Sequence, residues 1–270
     1  MNYLDFAIET AKNAGNIAMK HFGIFENIET KEDEYSATPI QADIDTDNFI
    51  VSQIKQNFPD HGIFSEESDT AGDSDFIWRI DPIDGTNNFK RGHHEFAISI
   101  SLEKGSKHLL GLVYKPFYQE LYYAEAGKSA WSNKNPNKEV KKIFVSKEKK
   151  LDEAVISINT SFFLSKYNLL GLNIIKKIGE ISPKIRLRAL ESESIELTDI
   201  ANGCHTCHLG LDIKPWDYAA GTLIIKEAGG RVTDFNGNEL SPPLGISNIA
   251  ASNKLVHEEL LEIINSALST

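Results

Sequence analysis

Leu4, Ile8, Ala11, Gly15, Ala18 and Phe22 recur at helical spacing, so the chain is predicted to open with an amphipathic helix. A second helix is predicted from Asp45 to Phe58, with Phe49, Ile50 and Ile54 facing inward and Pro59-Asp60-His61-Gly62 ending it. The apolar run Phe76-Ile77-Trp78-Arg79-Ile80 then reads as a short buried strand. Three further runs, Phe96–Leu102, Leu109–Tyr114 and Glu120–Ala124, are separated by turn residues and predict an antiparallel meander.

The second half alternates. Strands are predicted at Ala154–Ile158 and Ile185–Arg188, and helices at Leu169–Ile178, Ser192–Ala201, Asp217–Ala228 and Lys254–Ala267. Such alternation points to an α/β layer. The Asn- and Lys-rich stretch 133–147 marks a boundary. It divides an N-terminal α+β part, 1–140, from a C-terminal α/β part, 141–270.

With 270 residues, 41% hydrophobic and 25% charged, the chain has material for a sizeable core. Its formal charge of −11 argues against nucleic acid and anionic membranes as direct partners. No stretch has the apolar length of a membrane span. Asp5 and Glu9 interrupt the position of an export signal, and two cysteines make no disulfide framework, so the expected location is the cytoplasm.

Candidate chemistry is concentrated in Asp81-Pro82-Ile83-Asp84-Gly85-Thr86-Asn87-Asn88-Phe89, directly after an apolar strand. Two carboxylates three residues apart repel unless a cation sits between them. Gly85 and Thr86 open a predicted short helix whose free amides suit a phosphate oxygen. Glu66-Glu67 lies upstream, and Trp216-Asp217-Tyr218-Ala219-Ala220-Gly221 starts a helix far downstream with an acid followed by small residues. Oxygen donors of this kind suit Mg²⁺ first and Mn²⁺ next.

In this order, Glu66-Glu67, the DPIDGTNNF run and WDYAAG resemble the inositol monophosphatase family of the fructose-bisphosphatase-like superfamily, over nearly the whole chain. The resemblance implies an α/β (α+β layered) fold of alternating helix and sheet layers, αβαβα. It implies that Glu66, Asp81 and the carbonyl of Ile83 hold one metal, and that Asp81, Asp84 and Asp217 hold a second. Glu66 would reach a third, giving two or three Mg²⁺ per subunit. Gly85 and Thr86 would bind phosphate. Thr86 would orient the attacking water with Asp43, which matches an acid of the family's Thr-x-Thr-Asp-like segment, and Glu67 belongs to the same catalytic group. The implied activity is hydrolysis of a small alcohol or polyol phosphate monoester by a lithium-sensitive homodimer. Some members act in transcription or RNA-processing complexes, which leaves a non-enzymatic alternative.

The chain departs from the pattern where substrate is met. Relatives preferring inositol phosphates read Gly-Ser-Ala-Ala where this chain has Glu191-Ser192-Glu193-Ser194. They also carry a carboxylate at the position of Gly210, although Asp212 lies nearby. Glu191, Glu193 and Asp212 are therefore candidate substrate contacts, selecting a cationic alcohol such as histidinol. For Glu191 and Glu193 the competing reading is two acids on a first helical turn, favoured by the dipole. Added acid disfavours a second substrate phosphate, which ranks a 3′(2′),5′-bisphosphate nucleotidase or a fructose-1,6-bisphosphatase lower. Cys204-His205-Thr206-Cys207-His208 matches a haem-attachment pattern and a zinc donor set. Its place between two helices, where a strand is needed, favours buried thiols instead.

Overall fold

The computed structural model describes residues 2–23, 40–68, 74–134, 139–163, 168–181 and 184–269. Positions 135–138 of the Asn- and Lys-rich stretch lie outside them.

Five layers alternate. Helices α1 (Tyr3–His21) and α2 (Gln41–Asn57) cover one face of a seven-stranded sheet in sequential order β1 to β7. Its strands are β1 (Gly62–Ser65), β2 (Phe76–Asp84), β3 (Ala97–Lys104), β4 (Lys107–Lys115), β5 (Glu120–Glu125), β6 (Ala130–Asn133) and β7 (Lys141–Lys142). The five-residue helix α3 (Thr86–Lys90) follows β2. A second sheet has the order β11-β12-β10-β8-β9. It comprises β8 (Val155–Ile158), β9 (Arg186–Arg188), β10 (Cys207–Ile213), β11 (Arg231–Asp234) and β12 (Ser247–Ser252). Between the sheets lie α5 (Glu193–Ala201) and α6 (Pro215–Glu227), while α4 (Asn168–Ile181) and α7 (His257–Leu268) cover the outer face. Among the described residues, no helix is long and apolar enough to cross a membrane.

Sequence patterning explains the layers. On α1 the buried residues Phe6, Ala7, Ala11, Ala14 and Ala18 make one stripe, and Asn2 caps the helix by accepting the Asp5 amide at 2.7 Å. Along β3, Ile98, Ile100 and Leu102 face the core under α1 and α2, together with Trp78 and Ile80 of β2. Alternate positions Ala97 and Ser99 face the middle helices, and the Ser99 hydroxyl donates to the Trp216 carbonyl at 3.2 Å. The middle core joins Val113 and Ala124 of the first sheet, Leu197 and Ile224 of the helices, and Val232 and Ala251 of the second sheet. A third core packs Ile156, Cys207 and Leu209 against Ile174 and Leu260.

Helix α6 packs closely on β4 and α5 through glycines, Gly111 of β4 and its own Gly221. A Cβ on Gly111 of β4 would stand 2.5 Å from the Ala220 carbonyl oxygen, and one on Gly221 would stand 2.6 Å from Leu197. Gly111→Val therefore forces β4 and α6 apart. We expect it to lower the unfolding midpoint in thermal or urea melts, with a loss of about 1–3 kcal/mol; an unchanged midpoint would show that the layers tolerate separation.

Candidate active site

The site is assembled at the end of β2 and the starts of α5 and α6. Asp81 and Asp84 are three apart, which in a regular strand would place them on opposite faces. The pairing with β3 shifts between them: Asp81 pairs with Ser99 and Asp84 with Ala97. Three steps on β2 thus match two on β3, a bulge that restores both carboxylates to the face looking at α6. Pro82 sits inside the bulge, where its missing N–H breaks no regular ladder. Gly85 follows at φ 91, and a Cβ there would lie 2.7 Å from the Glu95 carbonyl oxygen, so the turn into α3 requires glycine.

Each carboxylate is held by amides or hydroxyls. Asp81 Oδ1 accepts the Ile83 amide at 3.0 Å, and Asp217 Oδ2 accepts the Lys214 amide at 3.1 Å. Asp84 is gripped by the start of α5. Its Oδ2 accepts the Ser192 hydroxyl at 2.8 Å, the Ser194 amide at 2.7 Å and the Ser194 hydroxyl, while Oδ1 accepts the Glu193 amide at 3.1 Å. Asn88 ties α3 to the same region by donating to the Glu95 and Leu190 carbonyls at 2.7 and 2.6 Å.

An open cavity of about 200 Å³ is lined by Glu66, Asp81, Ile83, Asp84, Gly85, Thr86 and Asp217. Asn159, Thr160 and, around the start of α5, Glu191, Ser192, Glu193 and Glu196 also line it. Asp43 and Glu67 stand behind Thr86 rather than on the lining. Asp43 Oδ2 accepts the Ile40 amide at 2.7 Å, its carboxyl interacts with the Thr86 hydroxyl, and Lys90 stands close enough to act on both acids. The Thr86 hydroxyl also donates to the Ile83 carbonyl at 3.0 Å. Asp212 does not line the cavity. It sits at φ 59 in an irregularity of β10 between Gly210 and Ile213, its amide donating to Asn248 Oδ1 at 2.9 Å.

The competing reading of Glu191 and Glu193 holds only in part. Glu191 precedes α5, exposed at φ 56, and reaches the cavity mouth. Glu193 does occupy the first turn, but its side chain is buried and its Oε1 lies 2.7 Å from Nε2 of His208. In the Cys-His segment, Cys207 enters the outer core and Cys204 is exposed, while His208 turns toward Glu193. Ser192, Ser194, Glu196 and Asn159 were not singled out from the sequence as site residues, and His208 stood out only within the Cys-His zinc donor set. Only the i, i+3 spacing of Glu193 and Glu196 signals a shared helical face.

The electrostatics are one-sided. Burial, then the charges of Glu66, Asp84 and Asp217, raise the Asp81 carboxyl well above its ordinary value. Burial followed by Asp84, Glu66 and Glu193 does the same for Asp217. Asp84 is raised by burial, partly offset by its Ser194 and Ser192 bonds. Glu66 stands at the rim, yet the desolvated surroundings of its carboxyl and then the charge of Glu67 lift it to about 7. Burial also lifts Asp43 to about 7, its bond from Ile40 lowering it in part. No lysine or arginine lines the cavity among the described residues. Oxygen donors that hold each other's protons on fit hard divalent cations, which relieve the repulsion on binding.

A model of the inositol monophosphatase family matches residues 2–269. The chain belongs to that family. It is 33% identical over 269 residues to the fructose-1,6-bisphosphatase/inositol-1-monophosphatase of Thermotoga maritima, covering 99% of this chain and 98% of that one. It is 31% identical to the Nus factor SuhB of Pasteurella multocida, covering 98% and 97%. Among solved structures, the Thermotoga maritima IMPase superposes with a TM-score of 0.86 at 33% identity, covering 100% and 99% of the two chains. The extragenic suppressor protein SuhB of Bartonella henselae gives 0.86 at 27%, covering 97% of each. The layered α/β fold of this family member is therefore established.

Two predictions follow from the clamp and the charges. Ser194→Ala removes one of the two donors that Ser194 gives Asp84, the hydroxyl, leaving the amide, and should weaken metal binding about 10–100-fold, measured by Mg²⁺-induced thermal shift. In chelator, Asp43 and Glu66 carry protons in the folded protein up to about 7 but lose them from 3.8 and 4.5 in the unfolded chain. Stability without metal should therefore fall as pH rises from 5 to 8, and Mg²⁺ should raise the melting temperature more at pH 8 than at pH 5.5. A metal-free melting temperature that climbs through this window would contradict the shifts.

Proposed function

We propose that the chain is a Mg²⁺-dependent phosphatase acting on a small alcohol or polyol phosphate monoester, of the inositol 1-phosphate kind. The convergence of Glu66, Asp81, Asp84 and Asp217 on one open cavity beside Thr86 carries this reading. In it, Glu66, Asp81 and the Ile83 carbonyl would hold one ion, and Asp81, Asp84 and Asp217 another. Magnesium bound there would offset phosphate charge and ease deprotonation of the attacking water.

The remaining steps belong to the chain. Gly85 and Thr86 receive the phosphoryl oxygens at their amides, which preorganises donors where charge develops. The Thr86 hydroxyl, backed by Asp43, orients a water in line with the bond to the leaving alcohol. Asp43, with its carboxyl near 7, is matched to accept the water's proton at neutral pH, and Glu67 and Lys90 tune it from behind. The water oxygen bonds to phosphorus as the phosphorus–oxygen bond to the alcohol breaks, and the departing alkoxide takes a proton from a second water, with no covalent phosphoenzyme. The acids around the start of α5, Glu191 foremost, meet the alcohol. They favour a cationic one such as histidinol as the second substrate reading. A homodimer inhibited by lithium is the form expected by family membership.

Relatives named Nus factor SuhB support a separate reading, a partner in a transcription complex. Co-purification with polymerase factors by a metal-site variant would favour it over catalysis.

Purified protein should release phosphate from inositol 1-phosphate, histidinol phosphate, fructose 1,6-bisphosphate or adenosine 3′,5′-bisphosphate with Mg²⁺ and not with chelator. Silence on all four would move the assignment to the partner reading. Asp217→Asn should cut turnover by about a hundredfold or more while circular dichroism stays unchanged. Near-normal turnover in that folded variant would remove the two-ion assignment.

A further inference from the structure

Where α5 borders the cavity, α5 and β10 bring three ligand-type side chains together. Glu193 and Glu196 stand three residues apart on α5, and His208 meets them from β10. All three are buried, and one donor atom from each lies within 4.8 Å of the others. No other described group of three or more carboxylate, imidazole or thiol side chains is drawn so tightly, the cavity carboxylates included.

The polar atoms of this trio are unevenly satisfied. His208 Nδ1 meets the Ser157 hydroxyl at 2.8 Å, and the Leu190 amide donates to Glu196 Oε1 at 2.7 Å. Glu193 Oε1, Glu196 Oε2 and His208 Nε2 are shut off from solvent with no hydrogen-bond partner. Nε2 and Glu193 Oε1 stand 2.7 Å apart without the alignment an N–H···O bond needs. Buried, unbonded donor and acceptor atoms in a native site call for a missing partner. Here two carboxylate oxygens and one imidazole nitrogen call for a cation.

We propose that Glu193, Glu196 and His208 form a separate site for a borderline divalent transition-metal ion, of the Zn²⁺ or Co²⁺ class. The imidazole distinguishes it from an all-oxygen magnesium site. Ser157 and the Leu190 amide supply the outer contacts that orient metal ligands. Entry is through the cavity, which Glu193 and Glu196 both line. Gly210 makes the room: a Cβ there would stand 3.0 Å from Glu193 Oε1. Ligands about 2.0–2.1 Å from a tetrahedral ion stand about 3.3 Å apart, so Glu193 withdraws slightly from the ring on binding. The ion would neutralise the turn of α5 whose amides and hydroxyls grip Asp84.

The test uses the full chain saturated with Mg²⁺ and titrated with Co²⁺, read by visible absorption and by bound metal after dialysis. The wild type and Asp217→Asn should each take one Co²⁺ per chain that Mg²⁺ does not displace. His208→Gln and Glu196→Gln should each weaken that uptake at least tenfold. Undiminished uptake by both folded variants overturns the site, as does the absence of Mg²⁺-resistant Co²⁺ in the wild type. On the wild type alone, X-ray absorption should place an imidazole in the Co²⁺ shell, and an all-oxygen shell overturns the proposal even where the variants fail to fold. Loss of phosphatase activity in Asp217→Asn with this Co²⁺ retained separates the two sites.

Discussion

Like-charge repulsion among the buried Asp81 and Asp84 and the half-buried Asp217, where β2 meets α6 and α5, is the constraint to which the neighbouring structure answers. Amides and hydroxyls hold each carboxylate in place without cancelling the charge of the set. Such dipoles lower the penalty for one anion but leave the mutual repulsion, which only a cation or a proton removes. The bulge in β2 and the left-handed turn at Gly85 make little sense as stability devices. They make sense as the means of turning two acids of one strand toward a third on a helix.

Much of the fold was legible because its elements carry strong periodicity. The opening stripe of α1 and the alternation of β3 to β5 are patterns that burial of one face imposes. What escaped notice lacks such a pattern. β12, Ser-Asn-Ile-Ala-Ala-Ser, has little strand propensity of its own, yet it lies between β11 and β10 and exchanges ladder bonds with both. β6 and β7 are short edge pieces. Helix α7 begins at His257, not Lys254, because Lys254 takes a left-handed turn at φ 71.

The acids of the site were legible as residue types in a recognisable order, but their orientation was not. Spacing alone puts Asp81 and Asp84 on opposite faces, and only the register against β3 reverses that. Ser192 and Ser194 read as ordinary helix-start residues. Their role toward Asp84 depends on a contact 108 to 110 positions away in sequence. His208 was obscured by its place in a cysteine motif, since Cys207 and His208 point to opposite faces of β10.

Gly210 and Glu193 are best understood as a single exchange. The resemblance to inositol-phosphate-preferring relatives implies a carboxylate at 210, on β10. This chain leaves 210 bare, and the space beside it is taken by a carboxylate carried on α5. The backbone amides of Glu193 and Ser194 belong to the clamp on Asp84, so the Glu193 carboxylate and that clamp are carried on one helix turn. Close packing of α5 on α6 through Gly221 and of α6 on β4 through Gly111 then fixes that clamp relative to Asp217. The Glu193 carboxylate and the amides that grip Asp84 thus move as one unit with the start of α5.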